Sequence, residues 1–269
     1  MSKAIVVLTR GYDNIQNYDK LIARNYNIHR CLGDLSLDIV IFHEGNIPES
    51  HQNYIKGKTP GLKIKFVDVK KKGKAFIDKS YIKRDPIVKH DVGMGYFHMC
   101  SFWFVNFWHY VEEYDYILRI DEDCIINFKI LKMFKTLENK VACYGAWVRD
   151  DPACVKGLVN FNIKCFKKHN LPMKSSINRN YIDRFSSAWW TSKVSGPYTN
   201  LLGLNLRKLR ENENLKKYIE TVKFSDYIYI YRWGDLPLWG TVLQFLYSSD
   251  DHVKLRSMRY IHDNMRINM

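Results

Sequence analysis

Three short apolar runs near the N-terminus, at residues 4–8, 37–42 and 62–69, constrain the fold more than any other feature of the 269-residue chain. The first is Ala-Ile-Val-Val-Leu, rich in β-branched residues, and reads as a buried strand; the third alternates apolar and polar residues. Between the first two, residues 17–31 predict a helix with Leu21, Ile22 and Ile28 inward. Strand, helix, strand at this pitch implies parallel pairing, because parallel neighbours need a crossover where antiparallel ones need only a turn. The chain is therefore expected to be an α/β protein.

Further along, residues 96–113 predict a core-packed aromatic helix, and 114–120 a strand that stops at Asp121-Glu122-Asp123. Helices are expected over 128–137, 153–169 and 206–222, and strands over 141–147 and 227–231. Residues 171–198, with Trp189-Trp190, read as irregular. Asp235 precedes Leu236-Pro237 as an N-cap precedes an N-terminal proline, predicting a helix over 236–247. With no repeat, low-complexity tract or linker, one domain spanning 1–269 is expected.

Composition excludes wholesale disorder, with 46% hydrophobic residues. The opening apolar run ends at Thr9-Arg10, far short of the ~20 residues a membrane span requires, and the six cysteines show no Cys-x-x-Cys pair. A soluble, cytoplasmic protein with reduced, mostly buried thiols is the expectation. The formal charge is +14, of which +9 lies in residues 56–90 (12 Lys+Arg against 3 Asp). That segment reads as a solvated loop, a docking surface for an anionic substrate or lipid, or a nucleic-acid patch; no nucleic-acid-binding motif accompanies it. The 7 Trp, 18 Tyr and 14 Phe suit either a bulky core or stacking surfaces for flat ligands.

Asp121 and Asp123 carry the clearest chemistry. In open α/β sheets ligands bind beyond the carboxyl ends of the strands. Residues two apart on a strand point the same way, so both carboxylates are expected to share a hard divalent cation. Such an ion neutralises a diphosphate and stabilises the charge that grows as it leaves.

The chain carries, in order, Leu8-x-Arg10-x-x-Asp13, Tyr96-x-x-Met99-Cys100-x-Phe102, Tyr114-Asp115-Tyr116-x-x-Arg119-Ile120-Asp121-Glu122-Asp123, Arg232-Trp233-Gly234-Asp235-x-Pro237 and Tyr260-x-His262. Taken together, these motifs resemble the fungal α-1,2-mannosyltransferases, glycosyltransferase family 15. The resemblance implies a GT-A fold, a single Rossmann-like mixed sheet flanked by helices, with GDP-mannose as donor, Mn²⁺ as cofactor, a glycan or glycoprotein as acceptor, and retention of configuration. It implies that Asp121, Asp123 and His262 hold the metal, and that Thr9, Arg10, Asp13, Tyr96 and Arg119 bind the nucleotide sugar. Asp235 is the expected catalytic residue, orienting the sugar or the acceptor hydroxyl. Trp189, Trp190, Arg232 and Trp233 are expected at the acceptor.

The chain departs from the family pattern in several places. The family's Arg-Val-Glu-Pro-Asp-Val is Arg119-Ile120-Asp121-Glu122-Asp123-Cys124 here, and its Asn-Phe-Glu is Asn200-Leu201-Leu202. Ser101 replaces an arginine and Trp239 a histidine. With no carboxylate at 202, a covalent double displacement lacks its nucleophile, and departure and attack on one face of the sugar is expected instead. Two alternatives stand beside this reading. One is a GT-A transferase using UDP-glucose or UDP-galactose; the other is a non-catalytic carbohydrate- or nucleic-acid-binding protein.

Overall fold

The structure, a computed structural model, describes residues 1–86, 92–171, 194–255, 259–263 and 265–267. In chain order the strands and first helices are β1 (Lys3–Leu8), α1 (Asp19–Leu32), β2 (Asp38–His43), α2 (Glu49–Lys58), β3 (Lys63–Asp68), α3 (Met94–Ser101), β4 (Tyr116–Ile120), β5 (Cys124–Ile126) and α4 (Leu131–Asn139). They are followed by β6 (Ala142–Tyr144), β7 (Trp147–Arg149), α5 (Leu158–Lys168), β8 (Ser195–Pro197), β9 (Leu201–Asn205), β10 (His252–Lys254), β11 (Tyr260–His262) and β12 (Met265–Ile267).

A seven-stranded sheet in the order β10-β6-β9-β4-β1-β2-β3 organises the chain. β1 pairs in parallel with both β2 and β4, and β2 with β3, as the strand–helix–strand spacing requires. β9 enters antiparallel between β4 and β6, which makes the sheet mixed. A small antiparallel sheet, β12-β11-β5, and a two-stranded one, β7-β8, stand beside it.

The apolar runs become strands because both faces of the sheet are covered. Ile5 and Val7 pack with Leu21 and Ile28 of α1 and with Met133 and Phe134 of α4. Ala4 and Val6, pointing the other way, join the aromatic layer of Phe102, Phe104 and Trp239. Gly203 in β9 permits that strand's place: a Cβ there would stand 2.7 Å from Cys143 Sγ and 2.9 Å from Leu118 Cδ2.

Several sequence expectations are corrected. Residues 227–231 form a short helix, Tyr227–Tyr231, and not a strand; it is closed at each end by a left-handed residue, Asp226 (φ 54) and Arg232 (φ 59). The aromatic helix expected over 96–113 is α3, then a π turn at Phe102–Asn106 and a 3₁₀ turn at Phe107–Tyr110. The helix expected over 206–222 is two, Leu206–Arg210 and Glu213–Ser225, because the Asn212 side chain caps the second by accepting from the N–H groups of Asn214 and Leu215. The helix Asp235–Thr241 begins at Asp235, with Gly234 at the cap position and no side-chain cap bond. α2, β9 and β10 were not anticipated. All six cysteines are unpaired and only Cys31 is not buried. Among the described residues no helix is long and apolar enough to cross a membrane.

The lysine-rich segment is more structured than a solvated loop. Lys63 and Lys65 on the edge strand β3 reach Asp38 at 2.8 and 2.6 Å, Lys70 reaches Glu44 at 3.3 Å, and Lys79 reaches Asp226 at 2.9 Å.

Candidate active site

β1, β2 and β4 are parallel, so their carboxyl ends open on one side and deliver Thr9, Glu44 and Asp121 to a common rim. A cleft of about 420 Å³ opens there, lined by Thr9, Arg10, Glu44, Phe76, Tyr96 and Glu122 among others. Glu122 accepts hydrogen bonds from the Thr9 hydroxyl and from the Tyr12 hydroxyl, the latter at 3.3 Å. Burial pushes its pKa up against the opposing pull of those two hydroxyls, and the net shift is upward. Arg10 lies over the Tyr12 ring at 5.0 Å, whereas Asp13 is exposed on the adjoining turn. Tyr96 sits beneath the Arg232 guanidinium, 5.3 Å from the ring centre. Its neighbour Cys100, burial and the nearby Asp235 and Asp150 all hold the phenol above its usual pKa, so it remains a donor.

A second group of charges lies against the core. Arg119 is 5% exposed, with Nε and Nη2 on the two oxygens of Asp121 at 2.8 and 3.1 Å and Nη1 on Asp235 at 2.5 Å. Its guanidinium also stacks 4.4 Å from the centre of Trp103. Burial alone would lower its pKa, but the two carboxylates outweigh burial and the net shift is upward. Below it, Arg24 of α1 is fully buried and donates to the carbonyls of Ile120 (3.0 Å) and Val6 (3.4 Å) and to Asn25 Oδ1 (2.9 Å). That arginine ties the ends of β1 and β4 together directly behind the acidic turn.

A third group has metal-ligating chemistry. Asp123, Cys124 and His262 bring one ligand atom each within 4.8 Å of one another. His262 Nε2 is 3.4 Å from Asp123 Oδ1, and Nδ1 is 3.1 Å from the Tyr198 hydroxyl, which fixes the ring's orientation. The β5–β11 pairing sets His262 directly across from Cys124, so two residues 138 positions apart in sequence share one face.

The structure therefore gathers Thr9, Arg10 and Tyr96 at one cleft and Asp123 with His262 beside it. Asp121 is turned away from that pair, since both its oxygens face Arg119. Two expectations fail on burial, and the Trp239 that replaces the family's histidine is buried too. Asp235 is 5% exposed and bound to Arg119, so it does not face a sugar. Trp233 is fully buried among Phe161, Tyr227 and Tyr231, its indole N–H donating to Lys156 O at 2.8 Å, and offers no face to an acceptor. Trp239 is 1% exposed, its N–H on Trp103 O. Trp189 and Trp190 lie outside the described residues. Sequence reasoning missed Glu122, Glu44 and Asp150, and the sole signal for Glu122 was its departure from the family's proline.

A mixed sheet of this order, with an acidic turn at the end of a central parallel strand, a histidine beside it and a cleft at β1 and β2, is that of the GT-A glycosyltransferase fold. No protein-family model matches the chain, and no curated protein does. Solved structures do, and fungal mannosyltransferases are among them. The GDP complex of Ktr4p from S. cerevisiae has a TM-score of 0.78 at 16% identity, covering 97% of this chain and 71% of that one. Core-mannan synthase A from Aspergillus fumigatus, in its Mn/GDP form, has a TM-score of 0.75 at 14% identity, covering 98% and 75%. Mouse xyloside xylosyltransferase 1 is more distant, with a TM-score of 0.53 at 14% identity. At these identities the likeness establishes the fold, and function rests on the residues at the site.

Proposed function

We propose that the chain is a metal-dependent glycosyltransferase that moves mannose from GDP-mannose to a glycan hydroxyl, with retention and an α-1,2 linkage. The observation that carries this reading is the adjacency of the Asp123–His262 pair to the cleft containing Thr9, Arg10, Tyr96 and Glu122. Two of the structures sharing the fold hold GDP, one of them with manganese.

The residues present fit a divalent cation. A carboxylate and an imidazole converge, the imidazole is oriented from behind by Tyr198, and its ring nitrogen faces the carboxylate. Asp123 and His262 would hold the ion; Asp121 would join only by leaving Arg119. When bound, Mn²⁺ supplies Lewis-acid stabilisation of the departing diphosphate. The protein's own groups do the rest. Tyr96, kept protonated, donates to a diphosphate oxygen, and Arg10 and Arg232 at the cleft's rim add positive charge. Asp235 acts through Arg119: it fixes the guanidinium that holds Asp121 and so shapes the turn carrying Asp123.

Leu202 lies in β9 directly across from Arg119, 1% exposed. A buried leucine where a nucleophilic carboxylate would stand favours departure and attack on one face of the sugar.

The test is hydrolysis or transfer of GDP-mannose with and without manganese. Asp123→Ala is expected to lose at least roughly 10²-fold in manganese-dependent turnover while remaining folded. Unchanged turnover in that variant, or stabilisation of the wild type by UDP-sugars but not GDP-mannose, overturns the proposal.

A further inference from the structure

The cleft carries a second carboxylate that the reading above leaves without a task. Glu44 follows β2 and lines the cleft together with Thr9, Phe76 and Glu122. Its position follows from strand order. β4, β1 and β2 are consecutive in the sheet, so the rim runs from Asp123–His262 at the β4 end, past Thr9 and Glu122, to Glu44 at the β2 end. Neighbouring strands are ~4.8 Å apart, so Glu44 stands roughly 10 Å along the rim from the metal-ligating pair. A nucleoside diphosphate anchored at that pair by its phosphates reaches Glu44 with its base. Glu122, nearer the phosphates, already accepts from two hydroxyls.

Glu44 is also firmly presented. Gly45 adopts φ 77 and donates its N–H to His43 Nδ1 at 3.2 Å, while the Asp68 carboxylate fills the space where a Cβ on Gly45 would go. The same Asp68 accepts from the N–H groups of Lys70 and Lys71 at 2.9 and 3.1 Å, which sets Lys70 Nζ 3.3 Å from Glu44. Lys70 of the basic segment thus serves to hold this carboxylate, whose side chain keeps 25% of its surface exposed. Leu8, Phe76 and Met99 give the cleft apolar walls.

An ionised carboxylate only accepts hydrogen bonds. Guanine offers two adjacent donors, N1–H and the N2 amino group, to both oxygens at once. Uracil offers one N–H flanked by two carbonyl oxygens that a carboxylate repels, and adenine and cytosine each set an acceptor beside their amino group. We propose that Glu44 reads the Watson–Crick edge of guanine and thereby selects a guanosine diphosphate donor. This rests on the donor reading above and names the residue that chooses the base.

The test is calorimetric titration of the full chain with GDP, IDP and XDP (the xanthosine analogue), each with Mn²⁺. IDP lacks the amino donor, and XDP replaces it with a carbonyl. The wild type is expected to bind GDP roughly tenfold or more tightly than IDP, with XDP weakest. Glu44→Gln, which presents one acceptor and one donor, is expected to prefer XDP over GDP. Glu44→Ala is expected to bind GDP and IDP alike. A gain of XDP binding is something no structural defect produces. Equal binding of GDP and IDP by the wild type, an unchanged order in Glu44→Gln, or an equal loss for all three ligands overturns the role of Glu44 and leaves the donor reading standing. A wild type that binds UDP more tightly than GDP overturns the donor reading itself.

Discussion

The two flanks of the turn that ends β4 carry the same residue types and use them oppositely. On the core side, Asp121 and Asp235 are both bound to Arg119, which is itself 5% exposed and stacked on Trp103. On the cleft side, Glu122 is held by the neutral hydroxyls of Thr9 and Tyr12, and Asp123 by an imidazole. Charge matched by charge against the core rigidifies the turn and leaves Arg119 and Asp235 little capacity for a ligand. Glu122, held by two hydroxyls, has no cation matched to it. On the reading proposed above, the core flank is the support of the site and the cleft flank its working surface.

Removing Arg119 tests that division most severely. Arg119→Met would leave Asp235 buried without its cation, with the part-exposed Asp121 beside it, and breaking a buried pair in this way costs about 3–5 kcal/mol. Denaturant unfolding of the variant should show a loss in that range. A loss below about 1 kcal/mol would mean that the ion pairs do not hold the core flank.

How much of this was legible in the sequence divides along similar lines. β1, β2 and β4 were visible as near-continuous apolar runs because burial on both faces demands that composition, and β3, at the sheet edge, as an alternating one. β9 was hidden: its five residues carry a central glycine, and only Cys143 and Leu118 packed against Gly203 explain why a glycine sits in mid-strand. Residues 227–231 alternate tyrosine and isoleucine as a strand would, but the left-handed residues at 226 and 232 confine them to one helical segment. At the site, the motifs that carry Asp123 and His262 were visible in the sequence, and the structure sets the two side chains 3.4 Å apart. The fate of Asp121, Asp235 and Trp233 was not, because a motif gives residue types and spacing but not which neighbour buries them.

Asp150 lies beside the core flank, close to Asp235 and to Arg232. Burial, with Asp235 and Asp151 adding to it, raises its pKa to about 6 from 3.8, against the hydrogen bond from the Asp151 N–H. The folded state then binds this proton more tightly than the unfolded chain between pH 4 and 6, so this group makes stability fall as pH rises through that window. Asp150→Asn removes the cost. It should flatten the dependence of unfolding free energy between pH 4 and 6 and add up to about 3 kcal/mol at pH 7. An unchanged pH profile would place Asp150 among the solvated acids.

The smallest effect is expected on the cleft flank itself. Thr9→Val keeps the shape of a residue that is 4% exposed and removes one of the two donors to Glu122, leaving the Tyr12 hydroxyl in place. One lost hydrogen bond, at an acceptor that water can still reach through the cleft, is worth about 1 kcal/mol. For a chain of this size that lowers the melting temperature by a few degrees, roughly 2–4 °C. The binding of GDP with manganese should weaken more than stability does, because Glu122 loses its anchor at the wall of the cleft. If Thr9→Val instead destabilises the chain as much as Arg119→Met, the cleft flank is as rigidly built as the core flank, and the distinction between support and working surface is gone.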